Sequence, residues 1–223
     1  MPIGNSDTAR KEILARIRKA QGRGAASRPS QAELAAVETY IAAHPRGPLP
    51  DVEDDLVARF RARAESMQST TERVERLADV PAAAARYLAA NGLPKSGCVW
   101  PTLARLDWAG AGLALEARGA QDPDLVGVTG VFAALAETGT LMVVSGPATP
   151  AAASLLPETH IAVVPVGRIV KHMEDGWALA RAELGQLPRL VNFISGHSRT
   201  GDIDQTIVLG AHGPYRVHLI LVR

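Results

Sequence analysis

The chain has 223 residues, of which 47% are hydrophobic and 21% are charged, a composition typical of one large globular domain or of one domain with an appendage. The formal net charge is +1 and only 4% of the residues are aromatic, which argues against nucleic-acid binding, because that function needs a basic surface or base-stacking rings. Cys98 is the only cysteine, which excludes an intramolecular disulfide and, within one chain, an iron–sulfur cluster or a cysteine zinc site.

The N-terminal segment MPIGNSDTARKEILARIRKA is charged and lacks the apolar core of a secretory signal. A helix is predicted over Thr8–Gln21, with Asp7 as its N-cap and with Ile13, Leu14 and Ile17 on one face. The sequence contains no run of about 18 apolar residues, so no transmembrane segment is predicted. We therefore expect a cytoplasmic protein.

The chain is predicted to divide into a helical arm with a linker, residues 1–30, and an α/β domain, residues 31–223. The linker is inferred from the stretch GRGAASRPSQ, which is rich in glycine, serine and proline and lacks an apolar period. The alternative is that the first helix packs on its own domain.

The domain is predicted to be a layered, mostly parallel α/β sheet. Three helices come first, over residues 31–43, 51–67 and 80–90, and TTERVE between them has β character. Short apolar runs that suit buried strands then alternate with helices; the strands are 98–100, 125–129, 141–145, 161–166, 190–195 and 217–222, and the helices are 131–137, 150–156 and 174–184. Residues 101–124 are interpreted as a hairpin around Gly110 and Gly112.

A first candidate site is the turn that follows the strand ending near Thr129 and Gly130. The helix predicted after it would offer free backbone N–H groups to an anion, although a simple tight turn is the alternative. Glu137 stands at the exit of that predicted helix, where the dipole disfavours a carboxylate. Glu137 is therefore a candidate nucleophile or base, or else it accepts hydrogen bonds from the turn formed by Thr138, Gly139 and Thr140.

A second candidate site is the turn FISGHSRTGDIDQT, which combines hydroxyls, backbone N–H groups and one guanidinium. This set suits a carboxylate or a phosphate, because arginine binds either group through two parallel hydrogen bonds. The candidate ligands are Ser195, Gly196, Ser198, Arg199 and Thr200.

Charged side chains surround this second turn. Asp202 and Asp204 follow it, either as caps of a further helix or as ion-pair partners of Arg199. His197 lies within it and His212 could face the same cleft. The histidine spacing lacks a metal-ligand pattern, so neither a metal nor another cofactor is predicted for this chain.

Three long stretches resemble the LUD-domain family. They are GVTGVFAALAETGTLMVVSGP, LLPETHIAVVPVGRIV and FISGHSRTGDIDQTIVLGAHGPYRVHLILV, and they occur in that order within residues 125–223. The opening SDTARKEILARIRKAQG is also similar to the N-terminal segment of that family. The resemblance implies an α/β fold of the NagB/RpiA/CoA-transferase-like type.

The resemblance also implies a function and places the site residues. It implies the cluster-free component of a multi-protein system that oxidises L-lactate to pyruvate, with iron–sulfur clusters on its partner proteins. The family's AETGT falls on Ala136–Thr140 and selects Glu137 as the candidate catalytic residue. Its SGPSRT falls on Ser195–Thr200, with His197 in place of proline. Its ADIEQT falls on Gly201–Thr206, with Asp204 in place of glutamate.

Two other functions remain open at this point. The chain could be an autonomous enzyme that uses Glu137 on a sugar-phosphate or acyl-CoA type substrate. It could instead be a non-catalytic scaffold whose first helix docks an iron–sulfur partner. The predicted ligand-binding set, for a small carboxylate or phosphate, is Thr129, Gly130, Thr138, Gly139, Thr140, Ser195, Gly196, Ser198, Arg199, Thr200 and Asp204.

Overall fold

The computed structural model describes residues 6–24, 28–203 and 206–223, so the prediction for Asp204 lies outside the described residues. The chain forms two compact units, Met1–Pro48 and Leu49–Arg223. The first unit therefore takes in the helix over residues 31–43, which the sequence prediction gave to the following domain.

The first unit contains the helices α1 (Ser6–Ala20) and α2 (Gln31–Ala43). Ser30 begins α2 with a capping box, in which its hydroxyl accepts from the Glu33 N–H and the Glu33 carboxylate accepts from the Ser30 N–H. The apolar side chains of both helices face solvent: Ile13 is 56% exposed and Ile41 is 61% exposed. The predicted helices of this unit are confirmed, and their apolar faces are uncovered within it.

The second unit is an α/β fold. Its helices are α3 (Leu56–Ser66), α4 (Val80–Ala90) and α5 (Met173–Leu184). Its strands are β1 (Thr70–Val74), β2 (Ser96–Val99), β3 (Ala114–Ala117), β4 (Val126–Thr129), β5 (Ala133–Leu135), β6 (Thr140–Val144), β7 (Thr159–Pro165), β8 (Ile169–Val170), β9 (Val191–Ile194), β10 (Arg199–Ile203), β11 (Thr206–Leu209) and β12 (Arg216–Val222).

The central sheet has six strands in the order β1-β12-β7-β4-β2-β3, and all neighbouring pairs are parallel. Its inner strands are mostly apolar because both faces of the sheet are covered. The mostly parallel α/β fold predicted from the sequence is confirmed.

Both faces of the central sheet carry a hydrophobic core. On one face, α4 packs with Leu88 against Val128, Val163 and Ile220. On the other face, Ala162, Val164 and Leu219 pack against α3 and against a second sheet of four strands, in the order β8-β5-β6-β9. The outer face of this second sheet is covered by α5.

The second sheet corrects one prediction. Residues 131–137 were expected to be helical, and they form β5 and a turn. The stretch is rich in alanine, which favours helices, but Ala133 and Ala134 pair with β6 and are fully buried. Tertiary pairing overrides the local propensity here, and this turn has no helix N-terminus to receive an anion.

Two smaller predictions are also corrected. Residues 101–124 do not form a hairpin, because β3 returns parallel to β2. The helix predicted over 150–156 is a single 3-10 turn, Ala151–Ser154. The alternative in which Asp202 caps a further helix is not supported by the described residues on either side of it, which pair as the antiparallel ribbon of β10 and β11. Among the described residues, no helix is long and apolar enough to cross a membrane.

Candidate functional site

The two turns singled out in the sequence meet in the structure. β6 runs antiparallel to β9, with Leu141 opposite Ile194, and this register brings Thr140 beside Ser195. Their hydroxyls are hydrogen-bonded, and the Thr140 hydroxyl is also 2.7 Å from that of Thr138. A chain of three hydroxyls therefore joins the first turn to the second.

Both turns rest on the C-terminal end of α3, and each does so through a glycine. Gly139 has φ +70°, and a Cβ on it would lie 2.3 Å from the backbone nitrogen of Ala64. Gly196 has φ +69°, and a Cβ on it would lie 2.0 Å from the carbonyl oxygen of Met67. Both positions need glycine for its backbone conformation and for the close approach.

Glu137 pairs with a histidine that the sequence analysis did not select. Its Oε2 lies 3.0 Å from Nδ1 of His172, and the two side chains are 25% and 8% exposed. The backbone fixes both partners: the Glu137 N–H donates to the carbonyl of Lys171, and the His172 N–H donates to the Asp175 carboxylate at the start of α5. The arrangement is a carboxylate–imidazole pair held from both sides.

His172 could have been noticed in the sequence. It stands two residues before the helix predicted over 174–184 and three residues ahead of Asp175, which is the spacing of an N-terminal capping arrangement. Its proximity to Glu137 depends on the pairing of β5 with β8, in which Ala134 faces Ile169. That pairing was concealed by the incorrect helix prediction over 131–137.

Thr129 has a different partner from this pair. Its side chain is fully buried, and its hydroxyl is 2.7 Å from Nε2 of His160, which is also fully buried. Burial lowers the pKa of His160 to about 4, so His160 is a neutral partner inside the core. Within the described part of the chain, no hydrogen bond or ion pair joins Thr129, Glu137 and Arg199 to one another.

The second turn lines a cleft of about 240 Å³. Arg199, His197 and His212 contribute its basic or titratable side chains, and the described residues that line it include no aspartate or glutamate. Ser195, Gly196 and Ser198, which are among the predicted ligand-binding residues, also line it. The composition of the walls suits a small anion.

Ser198 ties the two loops of this cleft together. Its backbone N–H donates to the Pro214 carbonyl at 2.9 Å, its carbonyl accepts from the Gly210 N–H at 3.0 Å, and its hydroxyl accepts from the His212 N–H at 3.2 Å. His212 is thereby placed beside the predicted anion turn. Thr200 lies farther along and pairs with Val208 in the ribbon of β10 and β11.

Cys98 is buried in β2, and burial is the main cause that raises the pKa of its thiol to about 11. The thiol is therefore protonated near neutral pH and is a poor nucleophile or metal ligand.

Comparison with known proteins identifies the family. A LUD domain profile matches residues 105–222, which include β4 to β12 and both turns. The chain belongs to the LUD domain family. Its fold also matches a crystal structure of a DUF162 family protein from Deinococcus radiodurans, with a TM-score of 0.56, 23% identity, and coverage of 78% of this chain and 100% of that chain.

Curated relatives of this LUD domain protein share about a hundred residues with it. Lactate utilization protein C from Exiguobacterium sp. strain AT1b is 39% identical over 100 residues, covering 44% of this chain and 44% of the relative. Lactate utilization protein C from Bacillus subtilis is 37% identical over 100 residues, covering 44% and 42%. The chain thus matches less than half the length of these relatives.

Proposed function

We propose that this LUD domain protein acts in lactate utilization, as the cluster-free component of a multi-protein system that oxidises L-lactate to pyruvate. The name shared by its relatives supports this role. The chain has one cysteine, and an iron–sulfur cluster needs several thiolates. In this proposal the clusters that accept the electrons lie on partner proteins, and this chain supplies the binding site for a small anion.

The observation that carries the proposal is the joining of the two turns through Thr138, Thr140 and Ser195. The two segments that resemble the family are far apart in sequence, and their hydroxyls form one continuous hydrogen-bonded chain. Ser195 is part of this hydrogen-bonded row of hydroxyls and also lines the cleft. A purely structural turn would not need to connect an anion cleft to the neighbourhood of a carboxylate–imidazole pair.

The cleft indicates the size and charge of the ligand. At about 240 Å³, it lies below the range of about 300–1,000 Å³ that is usual for drug-sized ligands. A three-carbon hydroxy or keto acid fits such a volume, and a CoA thioester does not. Arg199 is the side chain suited to hold the carboxylate, because its guanidinium can donate two parallel hydrogen bonds.

Growth of a deletion strain on L-lactate tests the role. We expect the strain to fail on L-lactate, to grow on glucose, and to recover with the wild-type gene. Complementation with Arg199→Gln should fail, whereas Arg189→Gln, a change at an exposed arginine outside the cleft, should restore growth. Normal growth of the deletion strain on L-lactate, in a host without a second copy of the gene, would contradict the role.

Isothermal titration calorimetry of the purified chain tests the ligand. We expect binding of L-lactate or pyruvate that Arg199→Gln weakens by about tenfold or more, since a charge-assisted hydrogen bond contributes about 1.5–3 kcal/mol. Arg189→Gln serves again as the matched control. Equal affinity in both variants would remove Arg199 from the site.

A second candidate function is favoured by the Glu137–His172 pair. A carboxylate hydrogen-bonded to an imidazole is an arrangement that can accept or donate a proton during a reaction, so the chain could be an enzyme in its own right. This alternative predicts turnover by the purified chain without partners. An absence of turnover alone, together with turnover in the reconstituted system, would favour the component role.

A further inference from the structure

A second groove borders the anion cleft. Its volume is about 300 Å³, and its walls include Leu156, Glu158, Leu209, Tyr215 and Arg216. Three of these side chains are large and apolar and yet face solvent: Leu156 is 65%, Tyr215 43% and Leu209 37% exposed. Clustered exposed apolar side chains on a soluble unit mark a surface that a ligand or a partner covers.

Gly213 lines both the cleft and the groove. A Cβ built on Gly213 would lie 3.5 Å from the Cβ of Ser198, which is ordinary contact distance. A longer side chain at this position would therefore extend toward the Ser198 turn and fill the border between the two cavities. Because the residue is glycine, the border is not blocked by a side chain.

The two cavities differ in the charged side chains that line them. The described lining of the cleft carries Arg199, His197 and His212 and no carboxylate, whereas the groove carries the Arg216–Glu158 ion pair beside its two leucines and the ring of Tyr215. The Arg216 guanidinium lies 4.7 Å from the centroid of the Tyr215 ring, a cation–π contact that steadies the ring. A flat apolar group is the chemistry that such a ring and such leucines recognise.

We propose that the cleft and the groove form one elongated site for a ligand with an anionic head and a flat apolar body. The head binds at Arg199, and the body lies along Leu156, Leu209 and Tyr215. This inference rests on the proposed anion cleft and goes beyond it, because a three-carbon acid fills the charged end alone. The elongated site therefore takes a second, larger class of ligand than lactate.

Three probes test the anionic head and the apolar body of the proposed ligand independently. 2-Naphthoate carries both parts, 2-naphthamide lacks the negative charge, and acetate lacks the apolar body. We expect calorimetry on the full chain to show that 2-naphthoate binds about tenfold or more tightly than either of the others. Equal affinity for naphthoate and naphthamide, equal affinity for naphthoate and acetate, or no binding of naphthoate would overturn the proposal.

Variants locate the probe. Gly213→Leu should weaken naphthoate binding at least about tenfold by filling the border, and Leu156→Ser should weaken it by removing an apolar wall. Gly167→Leu, at an exposed glycine with nothing within 4 Å of its Cβ position, is the matched control. Circular dichroism checks that each variant folds.

The outcomes distinguish the elongated site from the anion cleft. If lactate binding depends on Arg199 but naphthoate binding is unaffected by Gly213→Leu and by Leu156→Ser, the elongated site is wrong and the proposed function survives. If naphthoate binding depends on Leu156 but not on Arg199, the groove is a separate apolar site and the inference is overturned. Loss of naphthoate binding in both groove variants and in Arg199→Gln supports one continuous site.

Discussion

At Glu137, a partly exposed carboxylate meets an almost fully buried imidazole. The pair can have a structural role, which is to stabilise the turn against the start of α5. It can also have a chemical role, which is to exchange a proton with a ligand. A structural role needs only an acceptor oxygen opposite Nδ1 of His172, whereas proton exchange needs the carboxylate charge. The substitution Glu137→Gln separates these roles because it keeps an oxygen and removes the charge.

We expect Glu137→Gln to lower lactate oxidation by the reconstituted system about 100-fold, the lower end of typical general acid–base contributions. Its free energy of unfolding, measured in urea, should change by no more than about 1 kcal/mol. Glu183→Gln is the matched control, since Glu183 pairs with Arg168 in an analogous ion pair at the surface. Full activity of Glu137→Gln would reduce Glu137 to a structural residue.

His160 gives the fold a sensitivity to acid. Desolvation lowers the pKa of its imidazole to about 4 in the folded chain, against about 6.5 in the unfolded chain. Between pH 4 and 6.5 the imidazole is therefore mostly protonated in the unfolded state and mostly neutral in the folded state. The stability contributed by neutral His160 is therefore complete above pH 6.5 and is lost as the pH falls toward 4.

The difference between the folded and unfolded pKa values of His160 corresponds to about 3 kcal/mol in the free energy of unfolding, lost as the pH falls from 6.5 to 4. We expect the free energy of unfolding to fall between pH 6.5 and 4.5, and to fall less steeply in His160→Gln, whatever the absolute stability of that variant. His44→Asn, at an exposed histidine in the first unit, should leave the slope unchanged. Identical slopes in wild type and His160→Gln would show that His160 is not the titrating group.

At the scale of elements, α3 supports both turns of the candidate site. Gly139 touches the backbone of Ala64, and Gly196 touches the backbone of Met67 just beyond the helix. Phe60 and Ala64 of the same helix are fully buried in the core against the central sheet. The position of the two turns is therefore set by the packing of one helix.

Gly139→Ala should disturb this support. Overpacking against Ala64 costs about 1–3 kcal/mol, and the left-handed backbone adds about 1 kcal/mol. Urea denaturation should show a loss of about 2–4 kcal/mol. Gly112→Ala is the control, because Gly112 has φ +75° with nothing within 4 Å of its Cβ position, so that it carries the backbone strain alone. Equal losses in the two variants would argue against tight packing of Gly139 on α3.

At the scale of the whole molecule, the described hydrophobic clusters draw all their buried members from Val52 onward. The unit Leu49–Arg223 thus holds a core of its own, and a chain that starts at Leu49 should fold. We expect its thermal midpoint to lie within a few degrees of that of the full chain, because the removed helices contribute no buried side chain to these clusters. A broad, non-cooperative transition would show that the second unit depends on the first.

The first unit, in contrast, carries exposed apolar faces on a basic and an acidic helix. α1 has Arg16 beside Ile13 and Ile17, and α2 has Glu33 and Glu38 near its own apolar side chains. Recovery of the proposed iron–sulfur partner proteins by affinity capture, with and without residues 1–28, tests whether α1 docks a partner. Equal recovery would count against the scaffold role and would leave the site in the second unit unaffected.

Local patterns in the sequence were enough to predict the class of fold and the family motifs in both turns. Continuous apolar runs such as IAVVPV belong to strands buried on both faces, so alternation with helices led directly to the parallel sheet. The lone cysteine limited the metal chemistry, and the order of the AETGT and SGHSRT motifs led to the LUD domain family. Each of these inferences rests on local pattern or on composition.

Local patterns could not predict which residues contact one another in the folded chain. Residues 133–135 have the local propensity of a helix, and pairing with β6 and β8 makes them a strand. That pairing brings Lys171 and His172 beside Glu137. Thr129, in contrast, is buried in the core, where its hydroxyl is hydrogen-bonded to His160. Contacts between residues distant in sequence depend on sheet order and register, and these are set by the burial of many side chains together rather than by any one segment.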